Sequence, residues 1–146
     1  MANEDVVIDP WGSAQSTDYE RIIQQFGLTP LEGSSLPSPS KLHRRGIVFA
    51  YRDVDQVLEA HRTGGRFGVL TGLMPSGQMH LGHSMVVEQA KWFQQLGGDV
   101  TIAVADLESQ ATRGVSLAKG REVALHEYIA HYAALGLDPE KKIGRA

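Results

Sequence analysis

The sequence predicts an α/β fold built on parallel strands. Residues 67–70 form a short apolar run that indicates a buried strand. Residues 100–105 form a nearly continuous apolar run, typical of a strand that helices cover on both faces. Each run is followed by apolar residues at helical spacing: Val86, Ala90, Phe93 and Gly97 after the first, and Leu125, Ile129 and Tyr132 after the second. The order strand, helix, strand, helix is the start of a doubly wound parallel sheet.

The last helix and its ends follow from loop and cap residues. We expect this helix over 116–135, with Gly136 as its C-terminal stop, and a loop over 111–114. Two strands are too few for a complete sheet of this class. The tail, 141–146, ends where a third strand is expected, so we predict only the first half of such a fold.

The composition is that of a globular protein. The chain has 146 residues, of which 42% are hydrophobic and 21% charged, enough for one domain with a core. The net charge of −3 gives no overall basic surface for nucleic acid. The lack of cysteine excludes disulfides and thiolate metal sites and fits a reducing compartment. The acidic start lacks the order of a signal peptide, and no apolar run reaches membrane-spanning length. We therefore expect a cytoplasmic protein with no membrane partner.

The N-terminal part is predicted to contain two short helices. Thr17 and Glu20 match a capping box that starts the first helix, and Gly27 ends it. The Ser- and Pro-rich stretch 33–40 is expected to be a loop, and the basic run 41–45 a solvated cluster. Asp53 is predicted to cap a second helix that stops at Gly64.

The turn between the first predicted strand and its helix is the candidate functional site. Gly72, Pro75 and Gly77 break regular structure there. The helix that follows would present free N–H groups and the positive end of its dipole to an anion. His80 and His83 are three residues apart, so one helical turn places both on the same side. A bare His-x-x-His would favour a plain turn with two surface histidines, but the strand before it and the helix after it favour a site.

Four stretches resemble one family, in that family's order. Residues 80–83, His-Leu-Gly-His, resemble the "HIGH" signature of class I aminoacyl-tRNA synthetases, and the approach from Thr71 is similar to the tryptophanyl and tyrosyl branch. The Asp-Pro-Trp ending at Trp11, the helix 18–27 and the segment 44–53 are similar to tryptophanyl-tRNA synthetases of archaeal and eukaryotic type.

The resemblance implies a fold and a domain division. The expected fold is an incomplete Rossmann-like nucleotide-binding fold of the HUP type, preceded by a mainly helical N-terminal extension. Residues 1–65 would be the extension, and residues 66–146 the first half of the catalytic domain. The family's second signature, "KMSKS", and its helical anticodon-binding domain have no counterpart in the sequence. We therefore expect a truncated chain.

The resemblance also implies an activity. Tryptophan would react with ATP to give tryptophanyl-AMP and then pass to tRNA(Trp), with Mg²⁺ bound to ATP rather than to protein side chains. His80 and His83 would be catalytic through ring N–H groups that donate to phosphate oxygens. The ATP-binding residues would be Gly72, Pro75, Ser76, Gly77, His80, Gly82 and His83. Members of the family are expected to be homodimers.

The residues at the family's amino-acid pocket differ from its usual pattern. Leu70 stands where the family commonly has Tyr, and Ala103 where it commonly has Gln. Neither side chain can hydrogen-bond an indole N–H. Glu108 matches an acidic position of the family and would contact the ammonium group, or is an exposed loop carboxylate.

Three alternatives remain open from the sequence. The chain is a non-catalytic ATP-binding fragment or relic of such a synthetase, it is a tyrosyl-type relative, or it holds a metal at His80 and His83. Two histidines without a third ligand make a poor zinc site, so we predict no metal site.

Overall fold

The computed structural model describes residues 19–140, apart from the side chain of Ser34. The predicted capping box at Thr17 lies outside the described residues. The chain divides into two compact units, Met1–Asp55 and Gln56–Ala146. The domain boundary that the resemblance implied, between residues 65 and 66, stays a prediction.

The first unit consists of short elements. Helix α1 spans Tyr19–Phe26 and ends at Gly27, whose φ of 57° is the left-handed conformation that stops a helix. Strand β1 (Thr29–Pro30) pairs antiparallel with β2 (Ala50–Tyr51). A 3₁₀ turn (Gly33–Ser35) and helix α2 (Lys41–Arg44) lie between these strands.

Two predictions for this unit are wrong. The basic run is not a solvated cluster throughout, because Leu42 and His43 are buried in α2 and Ser40 caps that helix. Asp53 is not an N-cap, because its φ of 58° is left-handed and the next helix begins two residues later.

The second unit has the predicted order of elements. It contains all but the first residue of α3 (Asp55–Thr63), then β3 (Gly68–Leu73), α4 (Leu81–Gln95), β4 (Asp99–Val104), α5 (Asp106–Arg113), α6 (Leu117–Val123), a π-helical segment (Ala124–Ile129) and α7 (Ala130–Ala134). Strands β3 and β4 are parallel, in a register that places Gly68 opposite Asp99 and Leu73 opposite Val104. A parallel pair joined by a helix confirms the predicted α/β class.

The core of this unit covers one face of the two strands. The buried residues that pack together are Val87, Ala90, Val100, Ile102, Tyr128, Tyr132 and Leu137. On the opposite face Leu70 is 77% exposed. The prediction that β4 is buried on both faces is therefore wrong for the described residues: β4 alternates, with Val100 and Ile102 inward.

The predicted apolar stripes of the helices are correct in part: Ala90 and Tyr132 are buried as predicted, whereas other members of the stripes are exposed and a neighbouring residue is buried instead. Val87 is 1% exposed, whereas Val86 lies at the surface. Leu125 and Ile129 are likewise exposed, and Tyr128 is buried one residue before Ile129. These helices carry apolar residues on two adjacent faces, so spacing alone could not choose the face that meets the sheet.

One predicted loop is helical. Helix α5 covers most of 111–114 and ends at Gly114, whose φ is 65°. No helix in the described part of the chain is both long and apolar enough to cross a membrane.

Candidate functional site

The candidate site begins where β3 ends. The sequence suggested that Gly72 breaks the strand, but this residue lies inside β3. A Cβ at Gly72 would lie 3.3 Å from the carbonyl oxygen of Ala103, so glycine allows the close approach of β4 at this point. The turn itself starts at Met74, whose carbonyl accepts a hydrogen bond from the Ser76 N–H (2.8 Å). Pro75 is buried in this turn, and Ser76 and Gly77 are exposed.

The two histidines lie together at the start of α4. His80 is the N-cap residue, and its Nδ1 accepts a hydrogen bond from the Gly82 N–H (3.2 Å). The Nδ1 of His83 accepts from the His80 N–H (3.2 Å). The centroids of the two imidazole rings are 3.9 Å apart. The three-residue spacing thus brings both rings to one side of the helix start, as the sequence predicted.

These bonds determine which ring nitrogen is left to bind a ligand. A neutral imidazole has one acceptor and one donor nitrogen. Since Nδ1 accepts in both rings, the proton of each neutral ring is on Nε2. The site therefore offers two Nε2–H donors at the positive end of a helix, a combination suited to an anion. The expectation of free N–H groups is wrong at Gly82, whose N–H is occupied by His80.

Gly82 makes room for the ring of His80. A Cβ at this position would lie 3.0 Å from Cε1 and 3.1 Å from Nδ1 of His80. A Cβ here would be in tight contact with the imidazole, which would have to shift to make room for it. The position of the His80 ring therefore explains why a glycine is suited to the third position of the His-x-Gly-His segment.

The environment of His83 favours its neutral form. Burial lowers the pKa of His83 below the ordinary 6.5, and the nearby charge of protonated His80 lowers this pKa further. The ring of Tyr128 flanks that of His83 edge-on, with a centroid distance of 5.5 Å. At neutral pH, His83 is thus an uncharged hydrogen-bond donor.

The residues suggested for the amino acid lie on or beyond the exposed sheet face. Leu70 pairs with Thr101, and Ala103 pairs with Gly72, so Leu70 and Ala103 share that face. Glu108 is exposed in the first turn of α5, just beyond the end of β4. Ala103 on the exposed face and the Glu108 carboxylate thus lie toward the same end of the sheet as residues 74–80, which connect β3 to α4 and are called the histidine turn below.

Sequence reasoning missed two hydroxyl groups that hold the turn. The Ser109 Oγ donates to the Pro75 carbonyl (3.2 Å), and the Tyr128 hydroxyl donates to the Met74 carbonyl (3.0 Å). Both residues are fully buried. The sequence offered one signal for Tyr128: it lies four residues before Tyr132, a spacing that places both side chains on the same face of a helix.

A groove of about 380 Å³ lies beside the turn. Its lining comes from the turn and from the stretch 115–127, and consists of Pro75, Ser76, Gly77, Gln78, Val115, Lys119, Glu122, Val123, His126 and Glu127. Between residues 19 and 140, no three His, Asp or Glu side chains are grouped as a metal site would need.

A parallel strand–helix–strand unit with a turn and a helix start suited to an anion after its first strand is a Rossmann-like α/β arrangement. Over residues 62–144 the chain matches the model of the tRNA synthetases class I (W and Y). Because that match covers more than half of the chain, the chain belongs to this family.

Similar proteins are tryptophan–tRNA ligases. The chain is 43% identical over 138 residues to that of Methanosarcina acetivorans, covering 93% of this chain and 32% of the relative. It is 46% identical over 133 residues to that of Thermoplasma acidophilum, covering 91% of this chain and 30% of the relative. The chain thus spans about a third of the length of the curated relatives it matches.

Solved structures of such proteins share the fold. The tryptophanyl-tRNA synthetase of Aeropyrum pernix superposes with a TM-score of 0.77 at 41% identity, covering 94% of this chain and 39% of that one. A synthetase of Encephalitozoon cuniculi, bound to tryptophan, gives a TM-score of 0.73 at 28% identity, covering 88% of this chain and 41% of that one. The expected class I synthetase fold is confirmed.

Proposed function

We propose that this chain takes part in the activation of tryptophan by ATP and in its transfer to tRNA(Trp). The observation that carries the proposal is the pair of histidines at the start of α4, each with Nδ1 occupied and Nε2–H free to meet a phosphate. The relatives' names supply the amino acid and the tRNA.

The chemistry needs positioning more than covalent help. A carboxylate oxygen of tryptophan attacks the α-phosphorus of ATP, a P–O bond forms, and the bond to the pyrophosphate leaving group breaks. Negative charge spreads over the phosphate oxygens in the transition state, where fixed donors stabilise it. We assign these donors to the Nε2–H groups of His80 and His83.

Other parts of the turn would shape the nucleotide site. Ser76 and Gly77 are exposed in the turn that precedes the histidines and would offer the backbone, and for Ser76 a hydroxyl, to ATP. Residues 75–83 contain no carboxylate, so Mg²⁺ would be held by the phosphates it accompanies.

The amino acid would bind against the exposed sheet face. Leu70 and Ala103 would give apolar contact to an indole, and Glu108 would meet the ammonium group. Discrimination of the indole N–H would then come from groups other than Leu70 and Ala103. We further propose a homodimer in the cytoplasm.

Calorimetric titration of the chain with Mg·ATP tests this proposal. We expect binding that weakens about tenfold in His83→Ala, because one charge-assisted hydrogen bond to phosphate is lost. The matched control is His131→Ala, which removes an exposed histidine of α7 that does not line the turn. Equal ATP affinity in wild type and His83→Ala would contradict the assigned role.

A second titration separates the amino acids. With a non-hydrolysable ATP analogue present, we expect tryptophan to bind more tightly than tyrosine. Tighter binding of tyrosine would favour the tyrosyl-type alternative. Binding of ATP with no binding of either amino acid would favour a chain that binds nucleotide without activating an amino acid.

A further inference from the structure

Two consecutive carbonyl groups of the histidine turn are held by side chains from distant parts of the chain. The Met74 carbonyl accepts from the Tyr128 hydroxyl, 54 residues away, at 3.0 Å. The Pro75 carbonyl accepts from the Ser109 Oγ, 34 residues away, at 3.2 Å. The residue that follows them, Ser76, donates its N–H within the same turn, to the Met74 oxygen.

These two side-chain hydrogen bonds hold the turn at a point where the backbone has few hydrogen-bond donors of its own. Proline has no N–H, so Pro75 contributes no backbone donor. The Pro75 side chain, Ser109 and Tyr128 are all below 2% exposed, so water has little access to replace the two hydroxyls. Removing the Ser109 hydroxyl takes away the donor of the Pro75 carbonyl and incurs the cost of its desolvation, whereas the Met74 carbonyl keeps the Ser76 N–H when the Tyr128 hydroxyl is removed.

Tyr128 also contacts the far end of the same turn. Its ring lies edge-on to the ring of His83, at a centroid distance of 5.5 Å. One side chain thus touches both the first residue of the turn and the second histidine. Tyr128 lies in the π-helical segment Ala124–Ile129, and such segments are frequent at functional sites.

We infer that Ser109 and Tyr128 are positioning residues, which hold the Met74–Pro75 backbone and the ring of His83 in the arrangement that binds the nucleotide. The identity of the ligand rests on the proposed function. The positioning itself rests on the hydrogen bonds and the ring contact. The two residues act through the turn and do not touch the nucleotide.

The chain supplies a matched control for this inference. Tyr132 lies one helical turn after Tyr128, is 3% exposed, and its hydroxyl has no hydrogen-bond partner. Tyr128→Phe and Tyr132→Phe therefore each remove one buried hydroxyl and keep the ring. Only the first removes a donor from the turn. Ser109→Ala tests the second donor without changing a ring.

Two measurements on the whole chain test the inference. In Tyr128→Phe and in Ser109→Ala we expect the dissociation constant of Mg·ATP to rise about 3- to 10-fold, the value of one hydrogen bond. We expect hydrogen exchange of the Ser76 amide, followed by NMR, to become faster by a similar factor. Tyr132→Phe is expected to change neither quantity.

The outcomes separate this inference from the proposed function. If wild type binds no ATP, the proposed function fails for this chain, and exchange at Ser76 still decides the positioning role. If Tyr128→Phe only lowers the melting temperature, with exchange at Ser76 and ATP affinity equal to those of Tyr132→Phe, Tyr128 is structural and the inference is wrong. If Ser109→Ala likewise leaves exchange at Ser76 and ATP affinity equal to those of Tyr132→Phe, Ser109 is not a positioning residue.

Discussion

At the scale of single residues, the histidine pair makes a prediction about pH. Burial and the charge of His80 hold the pKa of His83 below 6.5 in the folded chain. The unfolded chain then binds more protons than the folded chain between that lowered pKa and 6.5. The contribution of His83 to stability is therefore complete above pH 6.5 and is lost as the pH falls toward the folded pKa.

An NMR titration of the imidazole resonances measures this directly. We expect the midpoint of His83 below 6.5, and we expect it to rise in His80→Asn, because the neighbouring positive charge is then absent. A His83 midpoint at or above 6.5 in wild type would show that burial does not govern this residue.

The histidine pair could be predicted from the sequence, whereas its support could not. A spacing of three residues fixes which side of a helix two residues share, whatever the helix packs against. The bonds from Ser109 and Tyr128 join residues 34 and 54 positions apart, and they depend on how α5 and the π-helical segment pack. Local pattern holds no information on such pairs.

At the scale of elements, the connection from α4 to β4 is tightly packed. A Cβ at Gly98 would lie 2.5 Å from Cε2 of the Phe67 ring and 3.0 Å from the carbonyl oxygen of Phe93. The Phe67 ring would have to move, while the Phe93 carbonyl belongs to helix backbone that cannot move easily. Gly98→Ala is therefore expected to destabilise the fold by about 1–3 kcal/mol.

Urea denaturation followed by circular dichroism gives that free energy. Gly77→Ala is the matched control, because a Cβ at Gly77 would meet nothing within 4 Å. We expect this control to change stability by less than about 0.5 kcal/mol. Equal stability of the two variants would mean that the packing around Gly98 is looser than these distances indicate.

The order of elements was predictable, and the faces of the elements were not. Apolar runs and glycine stops gave strand, helix, strand and helix correctly from residue 67 onward. The stripes failed at Val86 and at Leu125, since each helix carries apolar residues on two adjacent faces. Contact with β3 and β4 decides which face of each helix packs inward, and that contact exists only in the folded chain.

At the scale of the whole molecule, the start of the second unit depends on whether α3 belongs to that unit. The division of the chain after Asp55 assigns nearly all of α3 to this unit, whereas the resemblance placed the boundary after residue 65. One bond supports the earlier start: the His61 Nδ1–H donates to the Leu96 carbonyl at 2.8 Å. Val57 and Leu58 on the same helix are half-buried.

Two fragments, 56–146 and 66–146, distinguish these boundaries. The longer fragment keeps the bond from His61 and the partial burial of Val57 and Leu58, so we expect it to be more stable by about 1–3 kcal/mol. Urea denaturation of both fragments measures the difference. His61→Ala in the longer fragment isolates the hydrogen bond, which should account for about 0.5–1.5 kcal/mol of it. If both fragments unfold at the same urea concentration, α3 adds nothing to the second unit, and the boundary after residue 65 is the better description.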